Sequence, residues 1–152
     1  MKRYEKVIDI IQSVLIILLI IIVILLIRSV EDIQGNAKFI NYVGKARGLA
    51  QRIIKLEISN VQSDKKISEM DSIFKSLQEG GGEYNLKEID NNEILNNLSI
   101  QESLWRQIKI EIFNVRQNKA SYQRLLDLSE EYYTISDNTV HYAQDLCGYH
   151  FN

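Results

Sequence analysis

The most constraining feature of the chain is an unbroken apolar run near its N-terminus. From Val14 to Ile27 it reads VLIILLIIIVILLI, fourteen residues without a polar side chain. Extended back to Ile10, the segment holds 18 residues, or about 27 Å of helix, close to the hydrocarbon thickness of a bilayer. A helix without a polar face is atypical of a small soluble core. The run therefore predicts a transmembrane helix over residues 8–27, with the lipid bilayer as its partner.

The flanks of this run predict its orientation. Three basic residues lie within the first six positions, whereas Arg28 alone follows the run before Glu31. By the positive-inside rule, residues 1–7 are cytoplasmic and residues 28–152 are extracytoplasmic, in a chain that crosses the cytoplasmic membrane once. A cleavable signal peptide is the competing interpretation. The residues after Ile27 contain no small-residue cleavage pattern, which favours an uncleaved anchor.

Beyond the anchor the pattern predicts an all-α domain. There is no proline and there are only seven glycines, so long helices meet few breakers. Apolar residues recur at helical spacing, and Gly80 to Gly82 interrupt them. We expect an N-terminal transmembrane helix that continues into an antiparallel four-helix bundle. The expected segments are a first helix to about Asn60, helices over 64–79, 100–117 and 119–146, and a weakly helical, Asn-rich stretch over 86–98.

The first helix carries two apolar rows and one basic row. One apolar row is Phe39, Val43, Ala46, Ala50 and Ile53. The other follows positions 33, 37, 40, 44, 47, 51, 54, 58 and 61. Two such rows exceed what one bundle needs, and small residues at 44, 46 and 50 permit close approach. We therefore expect a parallel homodimer through the first helix. The third row predicts a solvated face and contains Lys38, Lys45, Arg52 and Lys55.

Arg47 departs from the pattern because it lies in an apolar row, between Gly44 and Gln51. An arginine at a bundle interface needs an anionic partner, since an isolated buried charge costs several kcal/mol. One interpretation is an internal ion pair, with Glu111 the first candidate. The other is a binding site for a small anion formed by Arg47, Gly44 and Gln51. Gly44 favours the second interpretation, because a missing side chain lets a ligand approach.

Composition and motifs argue against several other functions. A net charge of −2 provides no electrostatic footprint for nucleic acid. The single cysteine, Cys147, excludes an internal disulfide. His141 and His150 share no zinc spacing with it, so we expect no metal and no cofactor. No nucleophile–base or paired-carboxylate motif stands out, so we expect no enzyme and no catalytic residues.

The stretch from Ile40 to Glu57 resembles the membrane-proximal sensor helix of bacterial receptors. It is similar to the N-terminal region of clostridial-type diguanylate cyclases and sensor kinases. More distantly, it resembles type IV pilus-type methyl-accepting transducers and nitrate/nitrite sensor kinases. The matching residues are Ile40, Asn41, Gly44, Arg47, Gln51, Arg52 and Lys55, with weaker matches at Trp105, Ile108, Glu111 and Leu128–Tyr133. In the nitrate sensors the arginine at the Arg47 position binds the anion across a dimer two-fold axis, which the resemblance implies here.

These features predict an extracytoplasmic sensory input module of a bacterial transmembrane signalling receptor that senses a small anionic ligand. The resembling families continue into a second transmembrane helix and an output domain, which this chain lacks before Asn152. We therefore expect either a sensor fragment of a larger receptor or a truncated gene product. The alternative is a membrane-anchored structural or adaptor protein that binds a partner membrane protein without a ligand.

Overall fold

The computed structural model describes residues 2–118 and 121–148. Its helices are α1 (Lys2–Ile58), α2 (Asp64–Glu79), α3 (Asn92–Arg116) and α4 (Tyr122–Gly148). Within these ranges there is no β-strand, and a single isolated bridge pairs Gly81 with Leu86. The prediction of an all-α chain is confirmed.

The chain divides into two compact units, at Gln34 and Gly35. The first contains the apolar run, whose large side chains from Val7 to Ile27 are exposed. It supplies one helix long and apolar enough to cross a membrane: the most apolar 18-residue window has a mean hydropathy of 3.5, and none of it is buried. This is the only such helix among the residues described, in agreement with the predicted anchor as far as length and composition go.

The second unit, from Gly35 onward, has a core to which all four helices contribute. The row from Phe39 to Ile53 on α1 is fully buried, as expected for the inner face of that helix. The ring of Phe74 on α2 packs edge-on against Tyr132 on α4, with centroids 6.4 Å apart. Trp105 on α3 is buried, and its Nε1 donates a hydrogen bond of 2.7 Å to Asp71 on α2.

The largest departure from the predicted helix bounds is at the start of α3. That helix begins at Asn92, within the stretch predicted to be only weakly helical. The side chain of Asn91 caps it, because Oδ1 accepts hydrogen bonds of 3.0 Å from the backbone N–H groups of Glu93 and Ile94. Ile94 and Leu98 are buried. An asparagine that is unfavourable inside a helix is thus favourable as its N-cap.

A polar layer interrupts the apolar contact between α3 and α4. Gln101 and Thr139 are fully buried, and Nε2 of Gln101 donates a hydrogen bond of 2.7 Å to Oγ1 of Thr139. That hydroxyl donates in turn to the carbonyl of Ile135 at 2.8 Å. Two turns earlier on α4, burial raises the pKa of the Tyr132 hydroxyl above its ordinary value. Buried polar groups of this kind favour one register of two packed helices, because a shifted register leaves them unpaired.

Candidate functional site

Arg47 forms an ion pair that joins α1 to α4. Its Nη1 donates a hydrogen bond to Oδ1 of Asp137. The guanidinium carbon lies 5.3 Å from the ring centre of Tyr133, one helical turn before Asp137. The partner is therefore Asp137 on α4 and not Glu111 on α3, the first candidate from the sequence. Tyr133, Asp137 and His141 follow i, i+4 spacing and so lie on one face of α4, but this spacing does not identify Asp137 as the partner of Arg47.

The ion pair is open to solvent. The side chain of Arg47 is 28% exposed and that of Asp137 is 36% exposed. The second oxygen of Asp137, Oδ2, lies 3.5 Å from Nε2 of His141, whose side chain is exposed. A pair of this exposure contributes at most about 1 kcal/mol, because water screens it and the side chains lose entropy. The pair is thus more accessible to water than a fully buried ion pair.

The two other predicted site residues differ in their surroundings. Gly44 is half-buried, and a Cβ built there would meet no atom within 4 Å; the same holds for Gly48. The surface of α1 beside Arg47 thus has free space. Gln51 is exposed and lines a separate open groove of about 280 Å³, farther along α1. The other residues lining that groove are Ile54, Lys55, Ile58, Ser59, Leu126 and Ser129.

The basic row of α1 is exposed along its length, as its polar pattern predicts. Nζ of Lys38 donates a hydrogen bond of 3.2 Å to the carbonyl of Asn85. Nζ of Lys45 lies 2.9 Å from Oε1 of Glu69, and this hydrogen bond raises the pKa of Lys45 and lowers that of Glu69. Lys45 also lies over the packed rings of Tyr42 and Tyr84. The basic row is therefore solvated, and it also contacts α2 through Lys45 and the loop after α2 through Lys38.

A further ion pair, between Glu57 and Arg116, holds the C-terminal end of α1, and its carboxylate is buried. Glu57 is only 4% exposed. Its carboxylate accepts hydrogen bonds from Nε and Nη2 of Arg116 on α3, at 2.9 and 2.7 Å. It also accepts from the backbone N–H and the hydroxyl of Ser63, at 2.8 and 2.6 Å. Burial alone would raise the pKa of Glu57, but the hydrogen bonds from Arg116 and Ser63 outweigh it and lower the pKa.

Another pocket lies beside the first residues of α1 that belong to the second unit. It has a volume of about 300 Å³. Its apolar lining residues are Phe39, Ile40, Ile89, Ile94 and Ala143, and its polar ones are Asn36, Lys87, Glu88, Asp90 and Asn91. Arg47 does not line it, so the cavity and the Arg47–Asp137 pair are separate features.

Comparison with known proteins identifies no family for this chain. No protein-family model matches the chain. Neither a curated protein nor a solved structure matches it significantly. The resemblance to receptor sensor regions therefore stays a prediction.

Metal chemistry has no candidate site among the residues described, because they hold no group of three His, Cys, Asp or Glu side chains placed to bind an ion. The side chain of Cys147 and the whole of His150 lie outside those residues. The described residues thus offer a partly exposed guanidinium, that of Arg47, on the helix that also carries the apolar run.

Proposed function

We propose that the chain is the extracytoplasmic sensory input domain of a bacterial membrane receptor. The helix over residues 8–27 anchors it, and the basic flank places residues 1–7 in the cytoplasm. We further propose that the four helices form an antiparallel bundle. Short connections between α1 and α2 and between α3 and α4 support this arrangement, as do the side-chain contacts of α1 with both α3 and α4.

The proposed signal is a small anion that replaces Asp137 on the guanidinium of Arg47. The solvent exposure of this ion pair is the observation that carries the proposal. Arg47 offers several N–H donors in a planar fork that suits a carboxylate or an oxyanion. Because α1 and α4 are joined through this pair, an anion that takes the place of Asp137 changes the contact between the two helices. A ligand acts as a signal only when it binds two such arrangements unequally.

The test is a thermal melt of the full-length protein in detergent micelles, with nitrate, phosphate, acetate and citrate as probes. Trp105, the only tryptophan, is buried in the core, so its fluorescence reports unfolding of the domain. A bound anion stabilises the folded state by about 2.7 kcal/mol at a hundredfold excess over its dissociation constant. We expect one of the probes to raise the melting temperature of the wild-type protein, and Arg47→Ala to abolish that increase.

Asp137→Asn sharpens the test because it removes the internal competitor while leaving Arg47 in place. Loss of a contact worth up to about 1 kcal/mol should increase anion affinity by up to about fivefold. Arg52→Ala is the matched control, since this arginine belongs to the exposed basic row of the same helix. The anion proposal is wrong if no probe stabilises either the wild type or Asp137→Asn. Equal destabilisation by Arg47→Ala and Asp137→Asn, without any anion effect, would identify a purely internal ion pair.

Self-association of two parallel copies through α1 remains a prediction. The row from Phe39 to Ile53 on which it partly relied is used inside the domain. Ala37, Asn41, Gly48 and Gln51 stay exposed on α1 and could still meet a second copy.

The alternative function is that of a membrane-anchored adaptor that binds a partner membrane protein without a ligand. Ile110 and Phe113 on α3 favour it, because exposed large apolar side chains are typical of protein interfaces. Co-purification with one defined membrane protein, together with no response to any anion, would support the adaptor over the sensor.

A further inference from the structure

We propose that Arg47 and His141 together bind one small carboxylate, and that they do so when the imidazole of His141 is protonated. The site is that of the proposed function, so it rests on anion binding at Arg47. It adds a second binding residue, a ligand class and a dependence on pH.

The ligand class follows from the position of Asp137, whose carboxylate lies between the two side chains. Its Oδ1 accepts a hydrogen bond from Nη1 of Arg47, and its Oδ2 lies 3.5 Å from Nε2 of His141. One carboxylate is therefore wide enough to contact the guanidinium and the imidazole at the same time. A free carboxylate in the place of Asp137 would make the same two contacts, each strengthened by the charges of the groups involved.

Open space beside Arg47 gives room for such a ligand. A Cβ built at Gly44 or at Gly48 would meet no atom within 4 Å. Gly44 precedes Arg47 by three residues and Gly48 follows it directly, so α1 carries no side chain at either position beside the guanidinium. The ring of Tyr133 lies 5.3 Å from the guanidinium carbon, and this contact helps to hold Arg47 in place.

The other charged groups near the site are few. On α1, Lys45 is paired with α2, and on α4, Asp145 lies one turn beyond His141. Within the described residues, neither α2 nor α3 places a charged group in hydrogen-bond or ion-pair contact with Asp137 or His141. The charges of Arg47 and Asp137 cancel, so protonation of His141 gives the three residues together a single positive charge.

Protonation of His141 favours the ligand for this reason. Histidine ordinarily gains its proton as the pH falls through about 6.5, whereas aspartate stays ionised down to about pH 4. At higher pH a carboxylate meets one cation, that of Arg47, and at lower pH it meets two. Binding should therefore be tighter at lower pH. Since the side chain of His141 is 69% exposed, water screens the interaction and the affinity is low.

The experiment measures formate binding to the full-length protein in non-ionic micelles, at about pH 5.5 and about pH 7.5. Formate is the smallest carboxylate and stays ionised at both values, and sodium chloride keeps the ionic strength constant. Thermal melts over a series of formate concentrations, followed by Trp105 fluorescence, give the apparent dissociation constant at each pH. If only the protonated imidazole binds, that constant should be about tenfold larger at the higher pH.

Two replacements of His141 separate its charge from its place in the structure. His141→Gln should bind formate weakly at both pH values, and His141→Lys, which keeps its positive charge, should bind it tightly at both. His150→Gln is the matched control, because His150 is the only other histidine of the chain, and it should retain the wild-type pH dependence. Since the side chain of His141 is exposed, its variants should melt like the parent in chloride alone.

Asp137→Asn tests whether the ligand contacts both residues. It removes the internal carboxylate, so the affinity for formate should rise and the pH dependence should remain. Loss of the pH dependence in Asp137→Asn would overturn the proposal, because protonated His141 would then act only by drawing Asp137 away from Arg47. Unchanged pH dependence in His141→Gln would overturn it as well.

The absence of any formate response at the lower pH, in both the wild type and Asp137→Asn, would also overturn the carboxylate site. This result is distinguishable from failure of the proposed function. If nitrate or phosphate still raises the melting temperature through Arg47, the anion sensor stands and the site with His141 does not. If no probe does so, both are wrong.

Discussion

Replacement of Arg116 by alanine should lower the free energy of unfolding of the domain more than alanine replacement of any other charged residue that is exposed or half-exposed. The change leaves the carboxylate of Glu57 buried, with Ser63 as its remaining hydrogen-bond donor. Removing one partner of a buried ion pair costs about 3–5 kcal/mol. Because Arg116 is itself 23% exposed, we expect the lower end, about 3 kcal/mol. For a domain of this size that corresponds to about 10 °C in melting temperature.

The assay is urea or thermal unfolding of the full-length protein in micelles, followed by Trp105 fluorescence. Arg106→Ala is the matched control: Arg106 is another arginine of α3 paired with a glutamate, Glu102, but its side chain is 67% exposed. Its loss should cost no more than about 0.5 kcal/mol. A double-mutant cycle with Glu57→Gln should give a coupling energy of about 2 kcal/mol. Equal effects of Arg116→Ala and Arg106→Ala, or strictly additive effects of Glu57→Gln and Arg116→Ala, would refute the reasoning.

The same ion pair predicts a pH dependence of stability. The pKa of Glu57 in the folded protein lies below its ordinary value of 4.5. Its contribution to the free energy of unfolding is therefore complete above about pH 4.5 and is lost as the pH falls through the folded-state pKa. Glu57→Gln should consequently show a shallower loss of stability on acidification than the wild type. Parallel profiles for the two proteins would contradict this.

Two further predictions concern the turn after α2 and the polar layer. In urea unfolding, Gly82→Ala should cost about 1 kcal/mol more of the free energy of unfolding than Gly81→Ala. Both glycines have a positive φ, which a non-glycine residue adopts only with strain. Only at Gly82 would the new Cβ also lie 2.6 Å from the hydroxyl of buried Ser76. Gln101→Met should change the free energy of unfolding by less than about 1 kcal/mol, because it also removes an Oε1 that has no hydrogen-bond partner among the described residues. Thr139→Val leaves the amide of Gln101 unpaired and should cost about 1–3 kcal/mol. A larger loss of stability for Gln101→Met than for Thr139→Val would contradict this.

The helices were predictable wherever one apolar row repeats at helical spacing. The row from Phe39 to Ile53 and the residues Met70, Phe74 and Leu77 of α2 are all buried, because the hydrophobic face of an amphipathic helix has only the core to pack against. The start of α3 was not predictable from propensity. Asparagine disfavours helix interiors but favours N-caps, so the stretch around Asn91 gives opposite indications until the position of the cap is known.

The candidate site shows a different limit. Arg47 could be singled out because a charge in an apolar row requires a partner. The partner could not be identified from the sequence, because Glu111 and Asp137 lie on different helices and both satisfy the charge requirement. Only the packing of α4 beside α1 brings Asp137 within reach of Arg47. Helical periodicity determines which face of each helix is buried, but not which two helices are neighbours.

The Arg47–Asp137 and Glu57–Arg116 ion pairs of α1 differ in a way that suits the proposed function. Glu57 is held by four hydrogen bonds in a buried site, so exchange of Arg116 for a ligand would leave a desolvated charge unpaired. Arg47, ten residues earlier on the same helix, has a partner that water already reaches. Under the proposal, an anion competes with Asp137 for Arg47 while the C-terminal end of α1 stays fixed to α3. Under the proposal, ligand binding changes how α1 contacts α4 without releasing α1 from the core, because the closed pair retains the helix while the open pair exchanges.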